Sequence, residues 1–218
     1  MTRRVFLVHP TLLSMPPVDA AFRTLWPQAQ IHNLLDESLY NDLPQDGTIG
    51  PSVAPRLASL FRHCEASGAE GIVFSGSTFG PAVTEARQHI GIPVLRIEEA
   101  MMDEAATRGG SVLLVCTQKR AQPVVRATLD EAARKAGKTL AITELWVAGA
   151  REALTRGDSA AHNRAIAEQA AAAGDFDQIL FGMISMVPAR ALMPANLRDR
   201  VLTSGEAAAV RMRQLLGE

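Results

Sequence analysis

The stretches RVFLVHPT (residues 4–11) and SVLLVCTQ (residues 111–118) share one pattern, an apolar run followed by small polar residues. They lie 107 positions apart (112 minus 5). The same offset relates residues 72–74 to 179–181, 81–82 to 188–189, 94–95 to 201–202 and 99–100 to 206–207. Because one offset holds through five segments without a gap, the sequence predicts an internal duplication.

Short apolar runs alternate with alanine-rich amphipathic stretches along the chain. The runs are residues 5–8, 72–74, 94–97, 111–115, 178–181 and 201–203, and helical patterns cover residues 53–66, 123–136 and 160–173. Runs that are apolar at every position are typical of strands buried on both faces, and alternation with helices indicates parallel pairing. We therefore expect an α/β fold with parallel sheets flanked by helices.

The duplication predicts two pseudo-symmetric Rossmann-like or flavodoxin-like lobes. Lobe one is expected over residues 1–98 and lobe two over residues 99–204, with residues 205–218 packing back on lobe one as a last helix. Ligands of open α/β sheets bind outside the carboxyl ends of the strands, so an inter-lobe cleft is expected. Residues 34–50 show no periodicity and are a lid, a partner-binding loop or a solvated connection.

Composition excludes several classes of protein. The 218 residues carry a formal net charge of −1, which argues against nucleic-acid binding. No apolar run approaches the roughly 18 residues of a membrane span, and the N-terminal run ends early at Pro10, so a cytoplasmic protein is expected. Two cysteines make neither a disulfide framework nor a zinc site. With no glycine-rich phosphate loop and no metal-ligand spacing, we expect neither cofactor nor metal.

The residues directly after the predicted strands are the candidate binding residues. His9 and Cys116 are mirror positions at the offset of 107 and are candidates for proton transfer; the alternative is a hydrogen-bonded turn histidine and a small buried thiol that only pack. The candidate ligand contacts are Pro10, Thr11, Ser75, Gly76, Ser77, Thr78, Thr117, Gln118, Met183, Ile184 and Ser185. The hydroxyls either bind a carboxylate or cap helices, and the apolar residues either line a pocket or fill the core.

Several motifs together resemble one family. SGSTFG (75–80), PVLRIEEAM (93–101) and GMISM (182–186) occur in order, and His9-Pro10-Thr11 is similar to the Asn-Pro-Asn-Thr turn of hydantoin racemases. The chain resembles the aspartate/glutamate racemase superfamily, which includes amino-acid and hydantoin racemases, maleate isomerases and arylmalonate decarboxylases. The resemblance implies a small carboxylate substrate, chemistry without a cofactor, and a possible homodimer.

The resemblance also implies a departure from the family mechanism. The racemases carry one cysteine in each mirrored turn, and the matching positions in this chain are Gly76 and Met183. Neither glycine nor a thioether exchanges a proton. If the chain is an enzyme, we expect proton chemistry next to a carbonyl, carried by His9 or Cys116.

Two alternatives stay open. The chain is either a racemase-like enzyme of this kind or a catalytically inactive ligand-binding or sensor protein on the same scaffold. A serine nucleophile at Ser75 or Ser77 ranks lower, because the turn lacks the G-x-S-x-G elbow and no His–Asp partners are evident in the sequence.

Overall fold

The computed structural model describes residues 2–44 and 48–218. The chain divides into two compact units. One comprises the residues up to Ile97 together with Ala208–Glu218, and the other is Glu98–Ala207.

The first unit is built on a four-stranded parallel sheet. Its elements are β1 (Arg4–His9), α1 (Met15–Leu25), β2 (Gln30–Leu35), α2 (Ser38–Asn41), α3 (Val53–Ala66), β3 (Gly71–Phe74), α4 (Gly80–Ala86) and β4 (Val94–Arg96), with short 3₁₀ turns at Leu12–Ser14, Ser77–Phe79 and Arg87–His89. The strand order is β2-β1-β3-β4. Apolar side chains of α3, β3 and α4 form its core, with Phe61, Phe74 and Phe79 in edge-to-face contact.

The second unit repeats this plan. Its elements are α5 (Glu99–Arg108), β5 (Ser111–Cys116), α6 (Gln122–Lys135), β6 (Ala141–Trp146), α7 (Ala150–Thr155), α8 (Ser159–Ala172), β7 (Gln178–Phe181), a 3₁₀ segment (Ile184–Leu192), α9 (Ala195–Arg198) and β8 (Val201–Thr203). The order is β6-β5-β7-β8, again all parallel. The last helix, α10, spans Ser204–Leu215.

Strand register confirms the predicted repeat. Val5 pairs with Gly71 in the first unit and Val112 with Gln178 in the second, and all four positions are related by the same offset of 107. The sheet order is also the same in both units. The predicted α/β class, parallel sheets and two similar lobes are therefore confirmed.

The predicted helices and all six predicted strands are confirmed within one or two residues, but two strands are missing from the sequence prediction. β2 and β6 are edge strands, and each mixes half-buried with exposed side chains and has no fully buried one. A strand buried on one side only carries polar residues, so it lacks the continuous apolar run used to find the others. The connection between the two strands is also longer in the second unit. Arg4 of β1 pairs with Gln30 of β2, 26 residues later, whereas Ser111 of β5 pairs with Ala141 of β6, 30 residues later, a difference of four residues.

The predicted aperiodic stretch, residues 34–50, is partly regular. It begins inside β2 and contains α2, and residues 45–47 lie outside the described part of the chain. The Asp36 N–H donates to the His9 carbonyl oxygen at 2.9 Å, which fixes the end of β2 to the end of β1.

Candidate functional site

The carboxyl end of the first sheet gathers buried polar side chains. His9 is the last residue of β1 and is fully buried. Ser75, Ser77 and Thr78 follow β3 and are 5%, 8% and 4% exposed. Since β1 and β3 pair in parallel, their carboxyl ends lie side by side and bring His9 against Ser75.

His9 stands at the centre of a hydrogen-bond network. Its Nδ1 lies 2.9 Å from Ser75 Oγ and 3.3 Å from Ser14 Oγ, and its Nε2 lies 2.9 Å from Asn33 Oδ1. The Asn33 amide group in turn donates to Asp19 Oδ1 at 2.8 Å. Ser75 and Ser14 are themselves 2.8 Å apart. Both ring nitrogens of His9 are thus engaged by protein groups.

The network assigns the tautomer of His9. Arg23 donates to Asp19, and this hydrogen bond holds the pKa of Asp19 below its ordinary value, so the carboxylate accepts only. Asn33 therefore donates to Asp19 with its amide group and turns its carbonyl oxygen toward His9. Nε2 then carries the proton, and Nδ1 is the basic nitrogen that faces Ser75. Burial lowers the pKa of His9, opposed by the Asn33 hydrogen bond and the charge of Asp19.

Pro10 and Thr11, two of the candidate contacts, support the turn after β1. The Thr11 hydroxyl accepts the Leu13 N–H at 3.4 Å, and the Thr11 carbonyl oxygen accepts the Ser14 hydroxyl at 2.8 Å. These bonds cap the 3₁₀ turn at Leu12–Ser14, so the Thr11 side chain has a structural role that needs no ligand.

The backbone at Gly76 is packed so closely that there is no room for a side chain at this position. A Cβ atom there would lie 2.6 Å from Pro10 Cγ, 2.8 Å from Phe74 Cε1 and 3.0 Å from Phe79 Cδ2. All three neighbours are ring carbons, which cannot swing aside as the end of a flexible chain does. The backbone at this position therefore runs directly against the proline ring.

The turn after β3 offers hydrogen-bond donors. The N–H groups of Gly76, Ser77 and Thr78, three in succession, have no acceptor among residues 2–44 and 48–218, and neither does the Ser77 hydroxyl. The Thr78 hydroxyl lies 3.1 Å from the phenol oxygen of Tyr40, whose ring packs edge-on against Phe79. Three successive N–H groups without an acceptor are donors that an anion could use.

The carboxyl end of the second sheet carries the mirror positions of this site. Cys116 is fully buried, and burial together with the charge of Glu144 raises the pKa of its thiol to about 12. Thr117 is 3% exposed, and its Oγ1 and the buried Oε1 of Gln118 have no partner within the described residues. The thiol is therefore protonated at neutral pH, and two polar atoms at this edge have unused hydrogen-bonding capacity.

The turn after β7 is apolar, as its sequence indicates. Met183 and Met186 belong to the core of the second unit, and Ile184 is 7% exposed. Ser185 is half-buried. Met183 therefore contributes to core packing, which is the structural alternative raised by the sequence.

The family follows from comparison with known proteins. Residues 12–212 match the Asp/Glu/hydantoin racemase family. The chain belongs to this family. The match extends over parts of both units and includes the turns after β3, β5 and β7.

Solved structures of other family proteins share the fold. Allantoin racemase from Klebsiella pneumoniae is 20% identical, with a TM-score of 0.71 over 99% of this chain and 88% of that one. Glutamate racemase from Francisella tularensis subsp. tularensis SCHU S4, in complex with D-glutamate, is 11% identical (TM-score 0.73; 99% and 81% covered). Unliganded arylmalonate decarboxylase is 20% identical (TM-score 0.65; 99% and 93% covered). Among curated proteins, none matches this chain.

Within this family fold, several site residues escaped the sequence prediction. The structure adds four residues to the candidate site through hydrogen bonds: Asn33, Asp19, Ser14 and Tyr40. Asn33 lies on β2, which the sequence did not reveal as a strand. Recognition of β2 beside β1 would have placed Asn33 next to His9.

Two general features complete the description of this family member. No group of three or more metal-binding side chains occurs in the part of the chain that the structure describes. No helix within those residues is both long and apolar enough to cross a membrane.

Proposed function

We propose that the chain binds a small carboxylate or carbonyl compound at the carboxyl ends of its parallel strands and moves a proton on a carbon next to the carbonyl. The reaction needs no cofactor and does not use the two-thiol mechanism. The observation that carries the proposal is the buried Thr117 hydroxyl without a partner. An unpaired buried polar group costs about 1–3 kcal/mol, and a bound carboxylate or carbonyl oxygen would remove that cost.

The first unit supports the same ligand chemistry. The free N–H groups of Gly76, Ser77 and Thr78 and the unpaired Ser77 hydroxyl are donors for a carboxylate. The same donors would stabilise the enediolate that forms when a proton leaves the neighbouring carbon. The relative glutamate racemase, solved with D-glutamate, binds a compound of this class.

His9 is better suited than Cys116 to carry the proton. Burial lowers the pKa of His9, so the imidazole is a free base at neutral pH. The Cys116 thiol, with a pKa raised to about 12, is not ionised there. Because both ring nitrogens of His9 are engaged, a substrate proton would reach Nδ1 through the Ser75 hydroxyl.

A binding or sensor protein is the second candidate function. Its support is the absence of a thiol at both positions that the resemblance assigns to catalysis, Gly76 and Met183, together with the full engagement of His9. Such a protein would keep the donors of the two turns and lose proton exchange.

Proton NMR in heavy water tests the proposal. The ligands are aspartate, glutamate, alkyl hydantoins, aryl malonates and maleate, each incubated with the full chain. We expect loss of an α-proton signal or a new product with at least one ligand, and loss of that exchange in His9→Gln. Line broadening without exchange would favour the binding protein, and no effect across the panel would refute the substrate class.

Matched threonine variants test the ligand site itself. Thr117→Val keeps the shape of the side chain and removes the hydroxyl. We expect about tenfold weaker binding of a panel ligand, which corresponds to the loss of one hydrogen bond to a charged group. Thr107→Val, on the exposed face of α5, is the control and should leave affinity unchanged. Equal affinity in both variants would contradict the role of Thr117.

The remaining expectations stay predictions. They are the cleft between the lobes, the cytoplasmic location and a homodimer, and the choice among the ligands of the panel is equally open to the experiment.

A further inference from the structure

We propose that Ser75 is an activated acyl nucleophile, with His9 as its general base, so that the chain also hydrolyses small carboxylic esters or thioesters. This activity goes beyond proton exchange next to a carbonyl. No His–Asp partners of Ser75 are evident along the chain, but the fold brings such partners to Ser75 from β1, β2 and α1.

The first observation is the environment of His9. Its Nε2 is bonded to Asn33 and its Nδ1 faces the hydroxyls of Ser75 and Ser14. A buried base of this kind acts first on a hydroxyl and only through it on a substrate. Activation of a serine hydroxyl by a neighbouring base is the arrangement of nucleophilic catalysis.

The second observation is the order of the groups. Ser75 lies 2.9 Å from His9, His9 lies 2.9 Å from Asn33, and the Asn33 amide lies 2.8 Å from Asp19. In space, the groups follow the order nucleophile, base and orienting group. Such a set is recognised by its geometry and not by the order of its residues along the chain. Asn33 is a positioning residue, because it fixes the tautomer that leaves Nδ1 basic.

The third observation is the position of Ser75 on the fold. It follows β3 directly and precedes a 3₁₀ turn that leads into α4. The next three N–H groups, those of Gly76, Ser77 and Thr78, have no acceptor in the described residues. An oxyanion on an acyl group bonded to Ser75 would find donors in the residues that follow the nucleophile.

The network accommodates both protonation states of His9. With neutral His9, the Ser75 hydroxyl donates to Nδ1 or to Ser14 Oγ. With protonated His9, Nδ1–H donates to Ser75 Oγ, and Ser14 keeps its bond to the Thr11 carbonyl oxygen. A proton can therefore move from Ser75 to His9 without leaving a donor unpaired.

The reaction balances without a further reagent. Ser75 Oγ attacks the acyl carbon and its proton passes to His9 Nδ1. The C–O or C–S bond to the leaving group then breaks, and the leaving group takes the proton from Nδ1. Water attacks the acyl-serine with His9 as base, which releases the acid and restores the Ser75 hydroxyl.

Covalent labelling of the intact chain tests the proposal. A small alkyl fluorophosphonate forms a phosphonyl ester with an activated serine and releases fluoride, and peptide mass spectrometry locates the adduct. We expect one adduct, on Ser75, and a burst of about one equivalent of p-nitrophenol from p-nitrophenyl acetate. Ser75→Ala should show neither, and Ser59→Ala, an exposed serine of α3, should match the parent protein.

The base and its positioning residue have their own readouts. His9→Gln should slow labelling by about 100-fold or more, the range of general base catalysis. The labelling rate should rise with pH as His9 loses its proton. Because the pKa of His9 is lowered, the rate should reach its plateau before the pH becomes neutral. Asn33→Leu should move that midpoint to lower pH, because the Asn33 hydrogen bond raises the pKa of His9.

Three results would overturn the proposal. One is no adduct or acetyl group on Ser75 in the folded parent protein. Another is equal labelling of Ser75 in the parent and in His9→Gln, with folding verified by circular dichroism. The third is labelling spread over exposed serines in every variant. None of these bears on α-proton exchange, which the heavy-water experiment measures separately.

Discussion

The close packing around Gly76 determines which chemistry is possible at the turn after β3. Ring carbons of Pro10, Phe74 and Phe79 occupy the space where a side chain would begin. A cysteine at this position, which the two-thiol mechanism requires, would clash through its Cβ with the proline and both phenylalanines. The absence of a cysteine in this turn is thus accompanied by a local packing arrangement that does not admit one.

Substitution at position 76 is expected to destabilise the protein. Gly76→Ala should lower the free energy of unfolding by about 1–3 kcal/mol, the usual cost of overpacking, and Gly76→Cys should do at least as much without gaining racemase activity. Gly50→Ala is the matched control, since no atom lies within 4 Å of a Cβ there. Urea denaturation measures both, and equal stabilities of the Gly76 and Gly50 variants would refute the packing argument.

Among the elements, α2 depends on one arginine of α3. Arg56 donates to Asp42 at 2.9 Å and to Ser38 at 2.6 Å, and lies 3.6 Å from Asp36. The four-residue helix is too short to be stable alone. Its Tyr40 reaches the Thr78 hydroxyl, so Arg56 indirectly supports one wall of the candidate site.

Removal of Arg56 should loosen α2 and leave the rest of the first unit intact. Arg56→Ala is expected to speed amide hydrogen exchange in residues 38–42 by about tenfold, while global stability falls by only about 0.5–1 kcal/mol, as for other partly exposed ion pairs. Arg62→Ala on the same helix, whose donor contact is to Ser59, is the control. The same exchange rate in both variants would show that α2 is held by other contacts.

Sequence prediction succeeded for strands that carry an apolar run and failed for strands that do not. β1, β3, β5 and β7 are buried at nearly every position, so their apolar runs and common offset were visible. The edge strands β2 and β6 mix half-buried and exposed side chains and differ in loop length, so neither criterion found them. The opposite edge strands, β4 and β8, were predicted from short apolar runs that share the offset. Because Asn33 lies on β2, the partners of His9 were hidden with it, although His9 and Ser75 were both predicted as site residues.

The two units have one topology and different polar chemistry. In the first, the strand ends carry a hydrogen-bonded network around His9. In the second, the corresponding ends carry a buried thiol at Cys116, an apolar turn at Met183 and the unpaired hydroxyl of Thr117. Repetition of the backbone was therefore readable from the sequence, but the side-chain chemistry of each copy had to be read from the structure.

The first unit is discontinuous, and its C-terminal segment is expected to be essential for its stability. Met212 of α10 is fully buried, and its sulfur fills the space where a side chain at Gly71 would begin. Met212→Ala should lower the free energy of unfolding by about 2–5 kcal/mol, because it leaves a cavity against the start of β3. Val210→Ala, 47% exposed on the same helix, should cost much less. Similar losses in both variants by urea denaturation would contradict this.

The reactivity of the two cysteines reports conformational opening of the chain. Cys64 lies in the first unit and Cys116 in the second, both fully buried, and burial raises their thiol pKa values to about 11 and about 12. A thiolate is the reactive form, so alkylating reagents meet neither sulfur in the native state at neutral pH. Modification of one or the other therefore records which half of the molecule has opened, with no engineered label.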